Sequence, residues 1–391
     1  MKVSDLVNPN SIKVPDSKWE FINYLDTSNL TRNIISNIKK ICKGNYPSRA
    51  KRVVSSDEIL ISTVRPNQCH YGIIKKPLKN MVVSTGFTVL SVKDGVYLEY
   101  LYYYLTQKHI TDRLSMMATG ATTSYPSITP EDILNLKIIL PDIIIQEKIG
   151  YFLSTIDNNI ILNNKINAEL EQITRMLFDY WFVQFDFPNE EGNPYKSSGG
   201  EMEFNEVLKR DIPKGWEVKK IGDLAANCTE SIDPQNHKKI EFKYYSIPSF
   251  DEFNSYIIEK GCKIKSNKFI VSKRDILISK LNPRFKRIIY AGNEANQISS
   301  TEFVIWRSPT LHAKNFLYIV AKGDTFTSYC SNFATGTSNS HKRVNPDDMM
   351  NYQIAYSSRF TERFGLKLDS TIKLMTKNIK QYVPVFVSST Y

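Results

Sequence analysis

Between Gln146 and Phe182 the apolar residues recur with a helical period. Ile149, Leu153, Ile156 and Ile160 follow at alternating steps of four and three, and after a slip at Asn163 the pattern resumes through Ile166, Leu170, Ile173, Leu177 and Tyr180. That spacing predicts a helix with a coiled-coil seam. No Gly or Pro lies between Tyr151 and Phe182, Pro141 precedes the run and Pro188 follows it. One helix of roughly 37 residues, about 55 Å at 1.5 Å per residue, is therefore expected. Its remaining faces carry Asn158, Asn159, Asn163, Asn164, Lys165, Asn167, Glu169 and Glu171, which suits a half-exposed spacer better than a core helix.

The flanks of this helix read alike. Ahead of it, Ser55–Pro66 predicts a turn leading into a buried strand and Asn80–Val92 a pair of strands. Leu98–Leu114 follows as an amphipathic helix, then a Gly/Thr/Ser-rich loop running through Pro130 into the strand-like "LKIILP". Behind it, "SKRDILISK" repeats "SSDEILIST", placing Ile276 against Ile59, and "SSTEFVIWR" repeats "STGFTVLSV", placing Phe303 against Phe87. Ala334-Thr335-Gly336 matches Ala118-Thr119-Gly120, Pro346 matches Pro130 and Gly365 matches Gly150. All offsets fall between 215 and 217 positions, the mark of one duplication in constant register. Pro188, Gly192, Pro194, Ser197, Ser198, Gly199, Gly200, Pro213 and Gly215 mark 185–215 as a linker. The expected order is a domain over 1–142, the long helix over 143–184, the linker, a second domain over 216–357, and a second helix with its tail over 358–391. That second helix, from about Arg359 to Tyr382, has its own seam of Phe364, Leu368, Ile372, Met375, Ile379 and Tyr382 and is the natural antiparallel partner of the first.

Composition narrows the function. The 391 residues are 41% hydrophobic and 12% aromatic, enough for real cores in two or three domains. A net charge of +11 and a pI near 9.1 favour a polyanionic partner. Five cysteines (Cys42, Cys69, Cys228, Cys262, Cys330) without a C-x-x-C pair point away from a disulfide framework and from a structural zinc site. Neither a signal-peptide-like start nor a run of about 18 apolar residues occurs, so a cytoplasmic chain is expected.

The runs Trp181–Met202 ("WFVQFDFPNEEGNPYKSSGGEM"), Ile212–Leu224 ("IPKGWEVKKIGDL") and Ile139–Ile149 ("ILPDIIIQEKI"), with the two "ATG" loops, resemble the DNA-specificity subunits of type I restriction-modification systems. The resemblance implies an α/β chain of two tandem-repeat target-recognition domains separated by two long helices that form an antiparallel coiled-coil stalk. It also implies a bipartite double-stranded DNA site, one half per domain, and partners: two methyltransferase subunits and restriction/motor subunits. Catalysis would lie in those partners, with S-adenosylmethionine, ATP and Mg bound there and no cofactor or metal held by this chain. The first domain departs from the pattern in lacking a clear copy of "GWEVKKIGDL".

Base reading needs donors and acceptors on exposed loops. The candidates in the first domain are Arg65, Asn67, Gln68, Lys75 and Lys76, with Thr119, Thr122, Thr123, Ser124 and Tyr125 on the Gly/Thr loop. In the second domain they are Lys280, Asn282, Arg284, Lys286 and Arg287, with Thr337, Ser338, Asn339, His341, Lys342 and Arg343. "STVRPNQ" and "SKLNPRFKR" both set Arg and Asn around a Pro after a buried strand. Lys51-Arg52, Lys238-Lys239 and Lys263–Arg274 read as solvated faces or phosphate contacts, and Tyr102-Tyr103-Tyr104 as packing positions. Two rival classes stand beside this reading. A metal-dependent DNA endonuclease could be built on Asp233, Glu241 and Lys243, and a coiled-coil scaffold would bind no DNA. The ATP, dinucleotide, zinc-protease and serine-hydrolase motifs are all missing.

Overall fold

The computed structural model describes residues 1–10, 12–13, 19–119, 126–336 and 341–380. The chain divides into two compact units, 1–159 and 160 onward, and the duplication read from the sequence is visible in both.

The first unit opens on a helical turn, Val3–Leu6, and holds two four-stranded sheets. One runs in the order Val7–Pro9, Phe87–Val92, Glu58–Ser62, Tyr71–Ile74. The other runs Lys39–Cys42, Phe21–Leu25, Met81–Ser84, Ala50–Val53, with Phe21–Leu25 parallel to Met81–Ser84. Glu58–Ser62 is buried on both faces, which is why "EILIS" is nearly continuous apolar sequence rather than alternating.

The second unit repeats this plan strand for strand. Its first sheet runs Ala226–Asn227, Phe303–Arg307, Asp275–Ser279, Ile288–Tyr290. Its second runs Ile257–Lys260, Glu241–Tyr245, Gln297–Ser299, Lys268–Ile270, with Ser231–Ile232 added at the edge and the same parallel pair at its centre. Even the buried acid opening the central strand is kept. Glu58 accepts from Asn10 Nδ2 (2.6 Å), Ser91 Oγ and Ser55 N (both 2.8 Å), and Asp275 takes both Arg307 Nε and Nη2 at 2.8 Å.

The first unit does carry a copy of the "KIGDL" turn. Lys2–Leu6 stands where Lys220–Leu224 stands in the second unit. Asp5 Oδ2 accepts from Lys2 N (2.8 Å) as Asp223 Oδ2 does from Lys220 N (2.9 Å), and Lys2 Nζ reaches Asn135 Oδ1 (3.0 Å) as Lys220 Nζ reaches Asn351 Oδ1 (3.1 Å). The sequences had hidden it because only Lys, Asp and Leu are shared. A second difference concerns 185–215, which is no free linker. Phe185, Phe187 and Ile212 are buried in the core of the second unit, Met202–Asn205 pairs with Arg210–Pro213, and Phe187 packs on Tyr195, Trp216 and Phe360. Turn residues dominate the composition there, but the aromatics between them anchor the segment.

The long helix spans Ile143–Phe178 and continues as a wider π-helical turn, Asp179–Val183, closed by Gln184 N donating to Asp179 O (2.8 Å). Within the second unit its residues from 160 run antiparallel to the helix Ser358–Lys380: Phe178, Trp181 and Phe182 meet Phe364, while Asn167 meets Met375 and Asn378. Phe364, Leu368, Ile372 and Met375 are buried as the seam predicts. On the long helix the inward face departs from it. Ile173 is 57% exposed and Thr174 2%, because a straight helix advances 3.6 residues per turn and drifts off a strict 3.5 repeat. Asn167 Nδ2 donates to Met375 O (3.1 Å) and Asn378 Nδ2 to Asn167 Oδ1 (2.9 Å), a polar lock in an otherwise apolar contact. In the first unit the residues facing the domain are Gln146, Gly150 and Asp157 rather than Ile149 and Ile156, which are exposed. Gln146 Oε1 accepts from Tyr97 N (2.9 Å) and Asp157 from Tyr103 Oη (2.7 Å). Tyr102 is buried and Tyr103 packs on it, as expected for packing positions. Tyr382 lies outside the described residues.

Two outcomes follow from these contacts. Asn167→Ala leaves the Asn378 amide short of its acceptor at a buried contact and should cost about 1–3 kcal/mol, read by denaturant unfolding; the double change to Leu at 167 and 378 should recover most of it. A Cβ at Gly365 would sit 2.2 Å from His312 O, so Gly365→Ala should lower stability by about 1–3 kcal/mol through overpacking. Gly222→Ala, whose Cβ finds ordinary contact with Met350, should be tolerated in the same assay.

Candidate nucleic-acid interface

In each unit two loops are joined at one end of the doubly buried strand. After Glu58–Ser62 the chain turns at Arg65, in the left-handed region (φ 47°), into the helical turn Pro66–Gln68. The chain returning after the Gly/Thr loop passes alongside: Arg65 N donates to Pro126 O (2.9 Å) and Ile128 N to Thr63 O (2.8 Å). The second unit repeats the closure. Asn282, also left-handed (φ 49°), donates through N to Lys342 O (2.8 Å), and Val344 N donates to Lys280 O (3.1 Å). Thr335 and Arg343 exchange a further backbone pair at 2.9 and 2.8 Å, and Gly336 lets the chain pass His341 and Lys342, where a Cβ would come within 2.8 Å of His341 O.

The structure thus brings Arg65, Asn67 and Gln68 together, all exposed, with the helix Lys108–Thr119 that ends in exposed Thr119 lying against the turn Pro66–Gln68. Lys75 and Lys76 are not part of this group. They follow Tyr71–Ile74 at the opposite end of the strand pair, beside Asp57, and Lys75 is bonded to Glu99. Thr122, Thr123, Ser124 and Tyr125 fall outside the described residues.

In the second unit Lys280, Asn282, Arg284, His341, Lys342 and Arg343 cluster in the same way; Thr337, Ser338 and Asn339 fall outside the described residues. The charges here are not equivalent. Arg284 is exposed over the ring of Phe285 (4.7 Å to its centroid). Arg287 is held by Asp251 through Nε and Nη2 (2.6 and 2.8 Å), Arg343 by Glu302 (3.0 and 3.3 Å), and Lys286 by Asp324, which also pairs with Arg175 of the long helix. Burial, with Arg175 and Lys322 nearby, pushes the Lys286 ammonium below its usual pKa. Of the other basic strings, Arg52 turns inward to Phe87 O, and Lys268 is buried with its Nζ on Ser266 O (2.8 Å). These two are structural.

Sequence reasoning missed one neighbour in each unit. In the first, the short hairpin Leu30–Thr31/Ile34–Ile35 lies on the Arg65 loop: His70 Nδ1 donates to Leu30 O (2.7 Å) and His70 Nε2 meets the Gln68 side-chain amide at 3.1 Å. In the second it is the helix Ile247–Phe253, which supplies Asp251. The pair Arg32-Asn33 between short β-branched runs was the available signal. Among the described residues no group of three His, Cys, Asp or Glu side chains could hold a metal ion, and no helix is long and apolar enough to cross a membrane. Asp233 caps the turn Pro234–His237 through Gln235 N (3.0 Å).

Residues 1–172 match the model of the type I restriction modification DNA specificity domain. The HindI type I restriction enzyme specificity subunit of Haemophilus influenzae is 35% identical over 153 residues, 39% of this chain and 32% of that one. The MjaIX specificity subunit of Methanocaldococcus jannaschii is 32% identical over 247 residues, 63% of this chain and 51% of that one. The matches therefore span about a third to a half of those relatives. The solved type I restriction-modification S subunit from M. genitalium has the same fold at 13% identity and a TM-score of 0.52, over 97% of this chain and 91% of that one. Over residues 1–172 the chain is therefore similar to the type I restriction modification DNA specificity domain.

Proposed function

We propose that this chain is the sequence-reading DNA-binding subunit of a type I restriction-modification enzyme. Its recognition domains, residues 1–142 and 216–357, each read one half of a bipartite double-stranded site. The observation that carries this reading is the repeated loop closure: Arg65 N to Pro126 O in one unit and Asn282 N to Lys342 O in the other, at the same end of the same strand. The scaffold is shared while the side chains on it differ, Arg65-Asn67-Gln68 against Asn282-Arg284 with Lys342, which is what reading two different half-sites requires. The net charge of +11 supports a duplex partner through its phosphates.

The partners implied are two methyltransferase subunits and restriction/motor subunits. Adenine-N6 methylation and ATP-dependent cleavage would be theirs, with S-adenosylmethionine, ATP and Mg bound outside this chain, in the cytoplasm. In the endonuclease alternative Asp233 would supply the acid; here its carboxylate caps the turn Pro234–His237 by accepting from Gln235 N.

Binding of the full chain to a randomised duplex pool should return a two-part motif, and affinity should fall steeply as salt rises from about 50 to 200 mM, as for roughly six or more phosphate contacts. A flat salt response with no enriched motif would sink the proposal. Arg284→Ala should relax one position in one half, costing about 1–3 kcal/mol of discrimination, with no change in melting temperature. Arg287→Ala, which strands Asp251, should instead lower the melting temperature.

A further inference from the structure

The loop that follows the doubly buried strand of the second unit gathers Arg284, Lys286 and Arg287 around one aromatic residue, Phe285. The fold treats the three cations differently. Lys286 Nζ turns to Lys322 O (3.0 Å) and to Asp324, and Arg287 is fixed by Asp251. Arg284 is exposed, with its guanidinium carbon over the Phe285 ring, 4.7 Å from the centroid. The guanidinium carbon of Arg287 lies 5.2 Å from the same centroid, so one ring serves both arginines.

The ring is itself held in place. Phe285 N donates to Asn282 O (2.9 Å) and Arg287 N to Phe285 O (2.7 Å), which closes the backbone on both sides of it. Pro283 and Ile288 are buried, and Phe285 lines a small cleft with Pro283, Phe326 and Cys330. The ring nonetheless stays 48% exposed. An aromatic face attracts a guanidinium within about 6 Å, and a guanidinium lying on a ring keeps its edge N–H groups free for a bidentate bond. Restraining a long side chain beforehand also removes part of the entropy lost when it binds. The first unit has no such shelf, because Gln68 stands at the repeat position of Phe285.

We propose that Phe285 is a positioning residue for base reading by the second unit: its ring orients the Arg284 guanidinium towards a base edge, and Asp251 steadies that ring through Arg287. The inference rests on base reading by Arg284, as proposed above.

The test is selection of bound sequences by the full chain from randomised duplex DNA. Phe285→Leu keeps an apolar side chain in the cleft and removes the ring face. It should reduce preference about two- to fivefold, the worth of one exposed cation–π contact, at the position that Arg284→Ala relaxes, with the other half of the motif unchanged. Phe285→Tyr restores the ring and should return the wild-type motif. In the Arg284→Ala background, Phe285→Leu should change nothing further, because the two side chains act as one unit. If the wild-type chain enriches no two-part motif, or Arg284→Ala leaves it intact, base reading by Arg284 fails and the inference falls with it. If Arg284→Ala relaxes a position and Phe285→Leu does not, the inference alone is overturned. It is overturned as well by a Phe285→Leu effect that persists without Arg284, which makes the ring a reader itself, or by a loss spread over every position of that half, which marks a merely structural role.

Discussion

The repeated closure of two loops by backbone hydrogen bonds is the constraint on which the site depends. Thr63–Arg65 is held to Pro126–Ile128 as Lys280–Asn282 is to Lys342–Val344. Because these bonds use only main-chain groups, they constrain few of the side chains that project from the loops, chiefly at the left-handed positions Arg65 and Asn282 and at Gly336, where a Cβ would clash. Buried amides must be paired whatever residues carry them, so the framework persists while its exposed residues change. The left-handed turns at Arg65 and Asn282 belong to the same constraint, since each aims the loop back at its partner strand.

Much of the scaffold was legible in the sequence because it is made of long-period features. The constant offset of 215 to 217 positions marked the duplication, and the buried strands announced themselves as uninterrupted apolar runs. Local offsets were not legible. The inward face of the long helix moved from Ile173 to Thr174, a rotation that a heptad template cannot register. In the first unit the domain-facing positions are Gln146, Gly150 and Asp157, chosen by the donors at Tyr97 and Tyr103 rather than by hydrophobicity. Composition misled at 185–215, where Phe185 and Phe187 outweigh the surrounding Pro and Gly.

The site was legible as loops but not as charges. Sequence treats Lys75, Lys286, Arg287 and Arg343 as cations open to a ligand, yet they are engaged by Glu99, Asp324, Asp251 and Glu302. A carboxylate partner distant in sequence cannot be paired by inspection, because strand order decides which acid meets which base. The net charge of the chain therefore overstates the cations that are available at the loops.

The polar lock between Asn167 and Asn378 shows how register is chosen where apolar contact alone would leave it open. Phe178, Trp181 and Phe182 stack on Phe364 from one end, and aromatic packing tolerates small axial shifts. An amide pair does not, since sliding one residue would separate Asn378 Nδ2 from Asn167 Oδ1 and leave both groups unpaired. An apolar pair at these positions would keep most of the stability but not this specificity, whereas the amide pair holds the second helix to the long one in a single alignment beside the core around Phe316 and Leu368.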